Sequence, residues 1–384
     1  MSKHDFALEE FEARQARVRA AMEGEGIDLL LVLAPVNINY LIGCRAKGYQ
    51  EPQVLFFTLE PGPLTVLTRL ADVPELADLS LAEEVRGWGG REPEDPMDVV
   101  EGILKEKGYL ARRIGLEVPY YYLGAHHYLR YKAFLGAALV AEPTLLIENL
   151  KLVKSAAEIA YIRRAAAIAD EAMQTGVECI AEGMTELEVA AEMHRTLMAE
   201  GSDAAASPMN FATGERTCYA HAMPSERRIG KGDFMHIEYG AAYKRYCVTI
   251  GRQMCLGAPT PRMRELYRVV REASDECIAE MGPGVPAVRP HEAAKKVIAD
   301  AGLDQYRLHT TGYGIAPGFP PSWGETIHMF GDSTYTLEAG MVLSVEPPVM
   351  IREEKLGARI IDDILITESG AEILSTFTRD LIEL

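Results

Sequence analysis

An internal repeat constrains the fold of this chain more than any other feature. At a constant offset of 101 residues, Glu171, Ala172, Gly183, Gly201 and Asp203 recur as Glu272, Ala273, Gly284, Gly302 and Asp304. Ile168/Val269, Val177/Ile278 and Leu197/Ile298 match in kind. Such self-similarity marks a supersecondary unit used twice. Each copy reads as two helices followed by strands. Ser155-Ala-Ala-Glu158 and Thr185-Glu-Leu-Glu188 are capping boxes that open the first helix pair. Thr260-Pro261, with proline at the first helical position, and the run from His291 to Ala301 supply the second pair. Gly201 and Gly302 are fitting stops. Two such halves bury one central sheet under four helices and leave a cleft between them, a favoured place for ligands.

The 384 residues suffice for a second domain before the repeat. Residues 1–150 read as a small α/β domain and residues 151–384 as the repeat domain. In the first, Leu8 to Met22 has helical spacing, Ile27 to Leu33 and Arg113 to Val118 are strands, and Val54 to Leu59 and Leu64 to Thr68 form a hairpin. The aromatic run from Tyr120 to Phe134 suggests core or a subunit interface. The longest apolar run, Leu29 to Val36, is far too short to span a bilayer and suits a buried strand. A net charge of -18 argues against nucleic acid and anionic membrane surfaces as partners. The N-terminus lacks the apolar core of a signal peptide. The six cysteines form no CxxC pair, which points to free thiols in the cytoplasm.

Four segments converge on the expected cleft. They are Ser207 to Asp233 with Cys218-Tyr-Ala-His221, the hairpin from Phe234 to Met254 with Glu238-Tyr-Gly, His309-Thr-Thr-Gly-Tyr313-Gly-Ile followed by Pro320-Pro-Ser-Trp323-Gly-Glu325, and Leu343-Ser-Val-Glu346-Pro347 followed by Gly357 to Thr367 with Arg359-Ile-Ile-Asp362. A carboxylate buried in the apolar strand around Glu238 without a cation would have a raised pKa and suit a base or a nucleophile. Glu346 is a second carboxylate in the same cleft, and paired carboxylates provide an acid and a base.

These segments resemble the pita-bread domain of the creatinase/aminopeptidase P/prolidase superfamily, and the first third resembles its usual N-terminal domain. The resemblance implies five metal-ligand positions. Here they hold Glu238, Thr249, Tyr313, Glu346 and Ile361, so only two carboxylates remain. That set implies no metal pair and no cofactor, with room for at most one weakly held divalent ion on Glu238 and Glu346. His221 and His309 match two substrate-facing histidines of the family. Glu238-Tyr-Gly-Ala-Ala-Tyr-Lys-Arg-Tyr246 and the segment ending at Glu325 are similar to stretches of ectoine hydrolases. Cys247, the retained Glu346-Pro347 and the Cys218-to-His221 segment depart from them.

The resulting expectation is a metal-independent hydrolase of a non-peptide C–N bond in a small amidine- or guanidine-like metabolite. Glu238, His221 and Glu346 would be catalytic. Tyr246, His309, Tyr313, Trp323, Glu325 and Arg359 would bind the substrate. Arg359 either meets a substrate carboxylate or pairs with Asp362 or Asp363. Two alternatives stand beside this: an Xaa-Pro dipeptidase with a reduced metal site, and a catalytically silent binding protein. The resemblance also implies a homodimer in which the N-terminal domain covers the neighbour's cleft.

Overall fold

The computed structural model describes residues 2–384. The chain forms two compact units, Met1–Lys151 and Leu152–Leu384.

In the first unit a six-stranded mixed sheet has the order Glu84–Trp88, Thr65–Arg69, Val54–Thr58, Leu29–Val32, Ile114–Leu116, Leu139–Ala141. The period-two geometry of a strand explains its two cores. Leu29, Leu31 and Leu33 pack with Val100 and Ile103 of one helix, whereas Leu30 and Val32 pack with Val18 and Met22 of another. The hairpin expected from Val54 to Thr68 is present and antiparallel. The apolar run from Leu29 does not stay extended. Pro35 opens the helix Pro35–Ile42, because its fixed φ and missing N–H suit a first helical position. The tyrosine run is split: Tyr131 is buried, but Tyr120 is 92% exposed.

The second unit is the pita-bread arrangement. Its nine-stranded sheet is centred on two long strands, Phe234–Tyr243 and Tyr246–Cys255, paired along their whole length. Both expected capping boxes form, at Ser155/Glu158 and Thr185/Glu188. They open the helices Ala156–Cys179 and Glu186–Ala199. The repeated helices are Pro261–Ala279 and Val288–Asp300, the latter beginning three residues before His291. Gly201 and Gly302 follow the second helix of each pair at φ 88 and 73. These are left-handed values that a side chain disfavours, so the same glycine ends the same helix twice. The result is two helix pairs and a sheet whose central strands deliver Glu238 and Thr249.

Candidate active site

A cavity of about 730 Å³ opens in the second unit. Glu238, His221, Glu346, His309, Tyr313 and Trp323 line it, and together they come from all four segments of the expected set. Glu238 lies mid-strand and is 6% exposed. Its Oε2 accepts from Asn210 Nδ2 at 2.9 Å, across the paired strand Asn210–Thr213. The same oxygen is in close contact with Arg359 Nη1, which also donates to the Ala220 carbonyl at 2.8 Å. Arg359 Nη2 stands 3.7 Å from Glu346 Oε2. One guanidinium therefore sits between the two carboxylates. Its side chain is 1% exposed, and its backbone is fixed by donation from its N–H to Gln253 Oε1 at 3.0 Å.

This arrangement changes the expected electrostatics. Glu238 does not lack a cation, because Arg359 provides one. The carboxyl pushed up is Glu346, to about 8, first by burial and then by the charge of Glu238. Arg359, together with hydrogen bonds from Ser344 and Tyr313, offsets part of that rise. Ser344 Oγ donates to Glu346 Oε1 at 2.9 Å. Glu346 therefore carries a proton at neutral pH. His309 lies with Nδ1 3.9 Å from Glu346 Oε2, and its ring is edge-on to His221 at 5.5 Å. Burial and then Arg359 lower its pKa to about 4, so the imidazole is neutral.

Other expected residues are placed differently. Tyr246 and Glu325 do not line the cavity. Tyr246 is buried and donates to Glu158 at 2.8 Å, and Glu325 is ion-paired with buried Lys154. Arg359 is not paired with Asp362 or Asp363. Asp362 belongs to Arg252 and Arg379, and Asp363 accepts from the Thr249 backbone N–H at 2.7 Å. Asn210 and Ser344, which hold the two carboxylates, lie in the expected segments but were not singled out as site residues from the sequence. Asn210 faces Glu238 only through strand register, which no motif announces.

The five family ligand positions can now be tested against a metal pair. Thr249 is 3% exposed, with its hydroxyl donating to the Tyr239 carbonyl at 3.4 Å. Ile361 is fully buried against Gly251. Tyr313 accepts from Trp323 Nε1 at 3.1 Å, and the Trp323 ring lies so close to Gly240 that a Cβ there would stand 2.5 Å from it. Among the described residues no group of three or more His, Cys, Asp or Glu side chains is placed to hold a metal ion. This donor set does not fit a pair of metal ions.

Comparisons with known proteins identify the chain's relatives. Residues 160–368 match the metallopeptidase family M24 model, and residues 14–153 match the creatinase/prolidase N-terminal domain. An Xaa-Pro dipeptidase of Pyrococcus furiosus is 34% identical over 94% of this chain and 97% of its own length. An uncharacterised peptidase of Bacillus subtilis is 30% identical over 93% of this chain and 96% of its own. Among solved structures, an Xaa-Pro dipeptidase from Bacillus anthracis superposes with a TM-score of 0.85 at 27% identity, covering 97% of this chain and 100% of that one. Two expectations are thereby corrected. The relatives are peptidases, and those with a named activity are Xaa-Pro dipeptidases, which overturns the reading as a hydrolase of amidines or guanidines. The matching family is one of metallopeptidases, which overturns the expectation that no cofactor is involved. The residues present still do not fit the family's metal pair.

Proposed function

We propose that the chain, which belongs to metallopeptidase family M24 and carries the N-terminal domain of creatinases and prolidases, hydrolyses short peptides as an Xaa-Pro dipeptidase. The observation that carries this reading is the likeness to an Xaa-Pro dipeptidase along 94% of the chain. The cleft agrees with it in size, since 730 Å³ suits a small ligand.

The residues take these roles. Glu238, paired with Arg359 and accepting a hydrogen bond from Asn210, takes a proton from water as the water oxygen attacks the scissile carbonyl carbon. Glu346 gives its proton to the departing nitrogen as the C–N bond breaks. The proton on Glu238 then returns to Glu346, and the net change is addition of one water. His221 and neutral His309 present ring nitrogens to the substrate's polar groups from one side of the cleft. Six cysteines without a disulfide support a cytoplasmic setting. No helix among the described residues is long and apolar enough to cross a membrane. The working form is proposed to be a homodimer, which light scattering on the eluted protein tests.

The deciding assay is proline release from Gly-Pro, Leu-Pro and Phe-Pro, with and without added Mn, Co or Zn, alongside bound-metal analysis. Release is expected, and Glu238→Gln and Glu346→Gln should each lower it by about 100-fold or more. A folded protein that releases no proline under any of these conditions overturns the reading. The triple variant Thr249→Asp, Tyr313→His, Ile361→Glu should bind Mn more tightly than the parent, read by elemental analysis after dialysis.

A further inference from the structure

One wall of the cavity has a composition that the proposed chemistry does not use. It is built on the hairpin of Tyr313–Phe319 and Ser322–His328. Trp323 Nε1 donates to the Tyr313 hydroxyl at 3.1 Å. Tyr313 pairs with His328 across the hairpin, with ring centroids 6.1 Å apart. His328 stacks on Phe330 at 5.9 Å and an interplanar angle of 24°. All four rings line the cavity. Burial lowers the pKa of His328, which keeps this rung uncharged. The ladder runs from Trp323, 6% exposed, to Phe330, 43% exposed, where Leu308 at 67% exposed adds a second apolar side chain that also lines the cavity.

Large apolar side chains left open at the mouth of a cleft mark a binding surface. Aromatic faces add contact energy for a flat or bulky partner beyond the area buried. Successive ring spacings of 6.1 and 5.9 Å make the wall longer than the single pyrrolidine ring of a proline. The part of an Xaa-Pro dipeptide that can match such length is the side chain of the residue before proline. We infer that the Tyr313–His328–Phe330 ladder with Leu308 is the specificity wall for that residue, and that it selects large apolar or aromatic side chains. The inference rests on the Xaa-Pro reading and names the substrate class within it.

The test compares Phe-Pro with Gly-Pro and Asp-Pro on the full chain, first by kcat/KM and then by calorimetric binding, which requires no turnover. Phe-Pro is expected to exceed Gly-Pro by about tenfold in kcat/KM, the scale of discrimination an apolar pocket supplies. Asp-Pro should fall below both. Phe330→Ala and Leu308→Ser should each shrink the Phe-Pro to Gly-Pro ratio, and together bring it close to one. Thermal unfolding confirms that each variant is folded. A ratio near one in the parent, or a ratio unmoved by both variants, overturns the wall. If no dipeptide is cleaved but Phe-Pro binds about tenfold more tightly than Gly-Pro in a manner lost in Phe330→Ala, the wall stands and only the hydrolase reading falls. Equal binding of all three dipeptides in that case overturns the wall as well.

Discussion

Among the described residues of the second unit two arginines are buried, and their surroundings differ in kind. Arg252 is saturated. Its Nε donates to the Thr378 carbonyl at 2.7 Å, its Nη1 donates to the carbonyls of Gly251 and Ile361 at 2.8 Å, and its Nη2 meets Asp362 at 2.7 Å. Arg359 is not. Its Nη1 is used by Glu238 and Ala220, but Nε and Nη2 have no hydrogen-bond partner among the described residues. A buried guanidinium with every donor matched behaves as a structural tie. One left with free donors beside two carboxylates carries a cost that the fold must offset, and such costs gather where chemistry is done. The contrast separates two arginines that the sequence presents alike, each inside an apolar strand or strand end.

The largest expected effect is at the saturated site. Arg252→Met should destabilise the second unit by about 3 kcal/mol, the lower end for breaking a buried pair. The lower end applies because Arg379 Nε still holds Asp362 at 2.7 Å. Chemical denaturation reads this directly, and a loss below about 1 kcal/mol would erase the distinction between the two arginines. Arg359→Met should act the other way round. It should cost less stability than Arg252→Met while lowering proline release by about 100-fold, because Glu238 and Glu346 lose the cation that lies between them. If instead stability falls more than activity, Arg359 is a structural tie like Arg252.

The same comparison shows what the sequence carried. The helix pairs, their caps and the terminal glycines were legible because they depend on local chemistry: a Ser or Thr oxygen reaching an N–H three residues on, and a glycine accepting positive φ. The cleft residues Glu238, His221, His309 and Glu346 were legible because the short segments around them resemble those of the superfamily, even though Glu238 itself lies mid-strand. The role of Arg359 was not. Its partners are 121 residues away at Glu238 and 13 away at Glu346, and only strand register decides whether it turns to them or to Asp362. Asn210 was hidden for the same reason, since it faces Glu238 across paired strands joined by a twenty-residue connection that does not fix their register. Tyr246 and Glu325 looked like cleft residues in the sequence because they lie near ones that are. Burial against Glu158 and Lys154 takes them out of it.

A smaller effect tests the electrostatics that Arg359 only partly balances. Glu346 has its folded-state pKa raised from 4.5 to about 8. The sign follows from proton counts. Between those values the folded chain binds a proton at Glu346 that the unfolded chain has released, so stability falls as pH rises. The loss begins above about pH 4.5 and levels off above about pH 8. Its slope is at most about 1.4 kcal/mol per pH unit for one proton. Glu346→Gln should flatten that segment of the stability curve, since an amide does not titrate. The comparison is made by urea denaturation at pH 5.5, 6.5 and 7.5 on parent and variant. An equal slope in both would place the proton elsewhere and leave Arg359 as a full counter-charge to both carboxylates.

The smallest effect lies one step further from the guanidinium. Trp323→Phe removes the 3.1 Å hydrogen bond to the Tyr313 hydroxyl and trims the outer ring carbons that lie against Gly240. The hydrogen bond accounts for about 1 kcal/mol of the expected loss of stability. Tyr313 in turn hydrogen-bonds Glu346 and draws its pKa down. If Trp323 orients that hydroxyl, the variant should also move the Glu346-dependent segment of the stability curve towards higher pH, because a carboxylate that loses a donor holds its proton longer. A loss of stability with no movement of that segment would mean that Tyr313 is held by packing alone, and that the two carboxylates answer to Arg359 and Ser344 without help from the aromatic wall.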